Sequence, residues 1–213
     1  MLDRWTMPLT QKPLQRLAVV LERWNVRPDQ VTLVAFLVGI LALPLLAIGA
    51  YGWALLVIVL NRIGDGLDGA LARQSGRTSD AGGFLDIALD FVFYAAVVLG
   101  FALADSERNG LAASVLLFSF IGTGTSFLAF AIMATRHHLQ RPNFQRKAFY
   151  YLHGLTEGTE TVAVLIAFCV WPQHFASLAW LFAAACLVTT TTRVWGGYWT
   201  LKSVKTSPEN NNP

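Results

Sequence analysis

The sequence predicts an all-α integral membrane protein, with six transmembrane helices preceded by an N-terminal amphipathic interfacial helix and both termini cytoplasmic. The first observation behind this is composition: of 213 residues, 54% are hydrophobic and only 14% charged, too apolar for a soluble domain of this size. The second is length. Apolar stretches able to cross ~30 Å of hydrocarbon, which takes ~20 helical residues, recur and leave almost no room for a soluble domain. The third is the basic residues: Arg4, Lys12, Arg16, Arg23, Arg27, Arg73, Arg77, Arg136, Arg141, Arg146, Lys147, Lys202 and Lys205 fall on one side of the predicted spans, against Arg108 on the other. Spread over loops, they report topology and no nucleic-acid face.

In chain order, residues 1–30 form a cytoplasmic interfacial segment. Leu14, Leu17, Ala18, Leu21 and Trp24 share one helical face, and Pro13 suits a first turn. Such a helix anchors at the membrane surface. Asp29 is a candidate N-cap for the span that follows. No cleavable signal is expected, because the first apolar run begins only after Gln30. The spans are predicted at 31–48, 52–73, 83–104, 110–134, 154–171 and 175–201, making residues 31–202 one membrane domain, and the polar tail 203–213 reads as disordered. Cys169 and Cys186 fall inside predicted spans at no ligand spacing, as buried structural thiols. No repeat is visible.

Residues 65–90 hold five of the thirteen acidic side chains between two apolar runs. A carboxylate inside a membrane costs about 2.5–3.5 kcal/mol on insertion, so a cluster of them asks for a function. Asp65 and Asp68 are three apart at the end of the second span, and Asp86 and Asp90 four apart at the start of the third. The short connection brings the two faces antiparallel, so four carboxylates can converge. Their mutual repulsion is relieved by divalent cations. The donors are all hard oxygens, which favours Mg²⁺ or Mn²⁺, with Ca²⁺ still open, and two ions are easier to hold than one. A two-metal site suits phosphoryl chemistry. Gly64, Gly66, Gly69, Gly76, Gly82 and Gly83, with Ala70 and Ala72, strip bulk from this stretch, either for a diphosphate or for close helix packing. Arg73 is placed to meet phosphate or to set topology.

Asp65-x-x-Asp68-Gly69-x-x-Ala72-Arg73, eight residues, then Gly82-x-x-x-Asp86-x-x-x-Asp90 resembles the complete signature of the CDP-alcohol phosphotransferases, or CDP-alcohol phosphatidyltransferases. The resemblance implies a Mg²⁺-dependent enzyme that moves a substituted phosphoryl group from a CDP-linked donor to an alcohol and releases CMP. It implies that Asp65 and Asp86 touch both metals, Asp68 one and Asp90 the other, with Asp90 as the base. Gly69, Arg73 and Ser79 would hold the cytidine and diphosphate, together with Asp29, Thr32, Asp65, Asp68, Ala72 and Gly82. Asp29 stands where the family commonly has asparagine, in a P-x-x-V-T segment from Pro28 to Thr32. Asp80, outside the signature, reads as a solvated loop residue. The resemblance also implies a homodimer, for which Gly122 and Gly124 offer a contact.

The acceptor pocket is expected among spans four to six. Arg136, His137, His138, Arg141, Arg146, Lys147 and Arg193 could bind a phosphate-bearing acceptor such as glycerol 3-phosphate or an inositol phosphate, or could serve topology and anionic lipid. Glu157 and Glu160, on one face beside Thr161, could take a cationic or polyol acceptor, or pair with Arg136 or Arg193. His153 reads as a boundary residue. The expected function is transfer of a phosphatidyl group from CDP-diacylglycerol in phospholipid synthesis, in a multi-pass protein of the bacterial inner membrane with its site facing the cytoplasm. Alternatives are a choline- or ethanolamine-type headgroup transferase acting on a lipid alcohol, a cation or proton transporter, and an idle scaffold.

Overall fold

The computed structural model describes residues 3–136 and 156–203, with residues 3–12 as backbone. The described residues are helical throughout, with no strand among them.

Helix α1 (Asp3–Arg23) begins well before Pro13, which therefore lies in its interior and not in a first turn. Its face is divided: Ala18 is buried with Leu14 and Leu21 against Leu67, Ala70 and Leu71, whereas Leu17 and Trp24 are exposed. The segment expected to lie on the membrane surface thus also docks on the end of α4. A turn through Asn25, whose φ of 55° lies in the left-handed region that Asn tolerates, leads to α2 (Pro28–Ile40). The cap is at Arg27, whose backbone N–H donates to Gln30 Oε1 at 2.9 Å. Asp29 is not the cap; it sits in the first turn, with Pro28 at the position where its missing N–H costs nothing.

The first predicted span breaks at Leu41, so α3 (Ala42–Ala47) follows α2 as a separate piece. Pro44 explains the break, since it has no N–H to bond a carbonyl of the preceding turn. Next comes α4 (Tyr51–Ser75), ended by Gly76 at φ 65°, which donates back to Ala72 O. Helix α5 (Asp80–Ala104) is capped by Ser79, whose Oγ accepts from Gly82 N at 3.0 Å. Asp80 is therefore the first helical residue, not a loop residue, although it is exposed. Helix α6 spans Ser106–Arg136, α7 Gly158–Val170, and α8 Phe175–Ser203 after a short 3₁₀ turn at Pro172–His174. Ser203 thus ends a helix, and the rest of the predicted tail lies outside the described residues.

Four segments are long and apolar enough to cross a membrane: Pro28–Ala47, Asp80–Ala104, Ser106–Arg136 and Pro172–Ser203. Helix α4 has the length but carries Arg62, Asp65, Asp68 and Arg73, while α7 is a shorter apolar helix of 13 residues. Large apolar side chains such as Leu37, Phe84, Leu111 and Leu181 are exposed along these segments, the surface expected where lipid is the solvent. The protein is a multi-pass membrane protein.

Small residues set the helix spacing. A Cβ on Gly64 would come within 2.4 Å of Ala35 Cβ, and one on Gly100 within 2.8 Å of Leu46 Cβ, so α4 meets α2 and α5 meets α3 nearly backbone to backbone. Gly122 faces Thr190 and Gly124 faces Phe91 of the same chain, so packing of α6 on α8 and α5 accounts for these two glycines without a second protomer. Cys169 and Cys186 are free and buried.

Candidate active site

The four aspartates come from the ends of α4 and α5 that the short connection joins, but the two helices pack mainly on α2 and α3 rather than on each other. Helix α2 packs against both and completes the site with Thr32, Ala35 and Phe36. Its close approach to α4 is fixed by Asn61, which is buried and donates from Nδ2 to Ala35 O at 2.9 Å.

One carboxylate oxygen from each of Asp65, Asp86 and Asp90 lies within 4.8 Å of the others. Asp68 stands beside them, buried, with Thr32 Oγ1 donating to its Oδ2 at 2.5 Å. These side chains surround a void of about 10 Å³, which admits roughly one water-sized occupant. Converging hard-oxygen donors without Cys or His among them fit a divalent hard cation. Among the described residues, no fully buried side-chain nitrogen or oxygen lacks a hydrogen-bond partner.

Asp90 is the most heavily bonded of the four. Arg62 Nη2 donates to its Oδ1 at 2.6 Å and Arg62 Nη1 to its Oδ2 at 3.2 Å, and Tyr94 Oη donates to Oδ2 at 3.0 Å. Arg62 also lies 3.6 Å from Asp65.

Two cavities meet at this cluster from different sides. A pocket of about 250 Å³ gathers Asp29, Thr32, Asp68, Gly69, Ala72, Arg73, Ser79 and Gly82, the expected CDP-contacting set apart from Asp65, and adds Arg77, Thr78 and Asp86. Asp65 lines the neighbouring void with Asp68 and Asp86. Glycine at position 82 keeps this pocket open, because a Cβ there would sit 3.1 Å from Asp29 Oδ1 and 3.2 Å from Ser79 Oγ.

The second cavity, about 630 Å³, begins at Asp90 and Tyr94 and runs between α5, α6, α7 and α8 to Thr123, Glu157, Thr161 and Arg193. Arg193 donates to Thr123 O at 3.3 Å and lies 5.6 Å from the Phe127 ring centre. Of the residues expected to form an acceptor pocket, Glu157 and Arg193 line this cavity, while Glu160 and Arg136 do not. Glu160 turns back to accept from Glu157 N at 3.3 Å, capping α7, and Arg136 is exposed at the end of α6. Residues 137–155, with His137, His138, Arg141, Arg146, Lys147 and His153, lie outside the described residues.

The sequence pointed to Thr32 of α2 but not to Ala35, Phe36, Asn61, Arg62 or Tyr94. Arg62 carried a usable signal: it is a charge inside an apolar run, the criterion that singled out the aspartates, and it lies three residues before Asp65 on the same face.

The model of the family described as CDP-alcohol phosphatidyltransferase matches residues 25–195, spanning the site from Asn25 to Trp195, two residues beyond Arg193. The chain belongs to that family. A CDP-alcohol phosphatidyltransferase is an enzyme, a membrane transferase of phospholipid synthesis. Among its relatives is the inner membrane protein YnjF of Escherichia coli K12, 56% identical over 96% of this chain and 99% of that protein. The phosphatidylinositol phosphate synthase of Streptomyces avermitilis is 38% identical over 55% of this chain and 50% of its own. The archaetidylinositol phosphate synthase of Pyrococcus horikoshii is 32% identical over 54% and 61%. The fold matches crystal structures of Mycobacterium tuberculosis phosphatidylinositol phosphate synthase. With CDP-DAG bound the TM-score is 0.65 at 22% identity, over 94% of this chain and 97% of that one. With manganese and citrate it is again 0.65, over 94% and 92%.

Proposed function

We propose that this phosphatidyltransferase moves a phosphatidyl group from CDP-diacylglycerol to a small hydroxyl-bearing acceptor, a polyol phosphate, and releases CMP. The observation that carries the proposal is the position of the carboxylates between two cavities. Asp86 borders the pocket with the expected nucleotide residues, and Asp90 borders the second cavity, which holds Arg193.

Arg73 and Arg77 bring positive charge to the diphosphate side, and Gly69 and Gly82 let it approach the backbone. Ser79 and Asp29 flank Gly82 in the same pocket and offer a hydroxyl and a carboxylate to the cytidine and its ribose. Asp65, Asp68, Asp86 and Asp90 would hold Mg²⁺ or Mn²⁺, two ions in all. Such ions, when bound, neutralise the diphosphate and stabilise charge that develops on attacking and leaving oxygens.

The acceptor enters the second cavity. Its phosphate meets Arg193, and its hydroxyl reaches the carboxylate of Asp90, which takes the proton as the oxygen attacks phosphorus. The new bond joins acceptor oxygen to phosphorus, and the bond broken is the one to CMP. The phosphatidylinositol phosphate and archaetidylinositol phosphate synthases among the relatives support an inositol phosphate as the first acceptor to test.

The same reading has six spans, both termini and the carboxylate end facing the cytoplasm, residence in the bacterial inner membrane, and assembly as a homodimer. The relative of that membrane supports the residence, and the one-sided basic loops support the orientation. The experiment is CMP release by purified protein supplied with CDP-diacylglycerol, Mg²⁺ or Mn²⁺, and a panel of inositol phosphate, glycerol 3-phosphate, free polyols and amino alcohols. Release with a phosphorylated polyol is expected. Natively folded protein that releases no CMP with any acceptor contradicts the reading.

A further inference from the structure

Arg62 lies outside the eight-residue family signature and touches neither of the two substrate cavities, yet it is the most constrained charge in the site. Its side chain is 14% exposed. Both ends of the guanidinium are committed: Nε and Nη2 donate to Asn61 Oδ1 at 2.8 and 2.6 Å, and the Nη pair forks onto both oxygens of Asp90. Its Nη1 also donates to Tyr94 Oη at 3.1 Å, and Tyr94 in turn donates to Asp90. The guanidinium carbon sits 4.9 Å from the Phe93 ring centre and 5.3 Å from that of Tyr94, so the aromatic face of α5 holds it from the other side. Asn61 is tied to α2 through Ala35 O, and Gly39 leaves it room, since a Cβ there would come within 2.7 Å of Asn61. Three helices therefore fix one cation against one carboxylate.

Carboxylates this close are stabilised as anions by positive charge nearby, whether or not an ion is bound. We propose that Arg62 is a built-in counter-ion of the aspartate cluster: it holds Asp90 in a fixed orientation and competes with a divalent ion for the oxygens of that same carboxylate. Arg62 is a positioning residue, acting through Asp90. With Tyr94 these donors take three of the about four lone-pair sites of the Asp90 carboxylate, so an ion that ligates Asp90 takes the remaining site beside the fork or displaces one of its donors. Two effects oppose each other when Arg62 is removed. Loss of an orienting partner ordinarily weakens metal binding, by about 10–100-fold. Loss of a single positive charge beside a double one strengthens it, and in a partly buried site that repulsion scales with the product of the charges over a few ångströms at low effective dielectric. The second effect wins at this separation, so the divalent ion binds more tightly without Arg62.

The inference rests on the metal reading of the cluster, and the test separates the two. Mn²⁺ binding to the full-length protein in detergent is measured by the loss of the free-ion electron paramagnetic resonance signal, beside thermal unfolding with and without Mn²⁺. Arg62→Met is expected to bind Mn²⁺ at least about tenfold more tightly than the wild type. It is also expected to melt lower without Mn²⁺ and to gain a larger stabilisation when the ion is added. Arg62→Lys keeps the charge but loses the fork, so its Mn²⁺ affinity stays near that of the wild type. Should Arg62→Met fail to fold even with Mn²⁺, Tyr94→Phe decides: removing the hydroxyl frees one lone pair of Asp90 and tightens Mn²⁺ binding by a smaller factor. Unchanged or weaker Mn²⁺ binding in the folded variant overturns the proposal alone. Absence of Mn²⁺ binding by the wild type overturns the metal reading with it.

Discussion

At one end of α4 and α5 the chain packs rings, and at the other it packs charges. Tyr51, at the start of α4, stacks on Phe101 near the end of α5 with centroids 5.7 Å apart, and Phe101 stacks on Phe175 at 4.6 Å. Phe168 closes the group edge-on, 4.7 Å from Phe175. Fourteen residues along α4 from Tyr51, Asp65 begins a cluster of four carboxylates held by Arg62, Thr32 and Tyr94. The aromatic end is self-sufficient, because the rings of Phe101, Phe168 and Phe175 pack on one another with no charge to neutralise. The charged end must be held by hydrogen bonds to every neighbour and reaches its best arrangement only with a further partner. The same two helices thus carry a stability end and a chemistry end, and substitutions should separate them.

The largest separation is expected from Asp90→Asn, which should lower CMP release by about 10²–10⁴-fold, the worth of a positioned base, while binding of the CDP-linked donor persists. Turnover near the wild-type rate would remove Asp90 as the base. Phe101→Ala should do the opposite, destabilising the protein by about 3–5 kcal/mol in denaturant unfolding while leaving Mn²⁺ affinity unchanged. A drop in Mn²⁺ affinity there would mean that the two ends are coupled.

Two smaller effects sharpen the contrast within the charged end. Thr32→Val removes a buried hydrogen bond to a charged group and should cost about 1.5–3 kcal/mol of stability, together with a rise in the KM for the donor. Ser79→Ala removes the cap of α5 from the wall of the donor pocket and should cost about 1 kcal/mol. If Ser79→Ala leaves the donor KM untouched, Ser79 serves the helix and not the substrate.

The charged end was legible in the sequence for the reason that makes it unusual: Asp65, Asp68, Asp86 and Asp90 are charges at helical spacing in an apolar context. The donor pocket was legible through the family resemblance, which pointed to Gly69, Arg73, Ser79 and Gly82 in that stretch and to Asp29 and Thr32 ahead of it. What could not be read was contributed from a distance. Helix α2 enters the site across 36 residues, from Thr32 to Asp68; the family resemblance brought Asp29 and Thr32 to the nucleotide, but no local pattern announces the hydrogen bond to Asp68 or the approach of Ala35 and Phe36. Arg62 was readable, since it is as anomalous in its span as Asp65, but a topological count of basic residues passes over a cation that belongs to neither side. The break at Leu41 was foreshadowed by Pro44. Glycines 122 and 124 could have faced a second chain or this one, and only the positions of Thr190 and Phe91 decide that they face this one. The acceptor side was the least legible, because its walls come from α5, α6, α7 and α8 and its charges, Glu157 and Arg193, are far apart in sequence.

The central claim is that the charged end is a divalent-metal site of a CDP-linked phosphatidyl transfer. Anomalous X-ray scattering from crystals grown with Mn²⁺ and CDP-diacylglycerol tests it most directly. The account predicts manganese peaks at coordination distance from Asp65 and Asp86, with the CDP moiety in the pocket bounded by Gly69, Arg73 and Ser79. Manganese found elsewhere, or donor bound with no metal among the four aspartates, would contradict it.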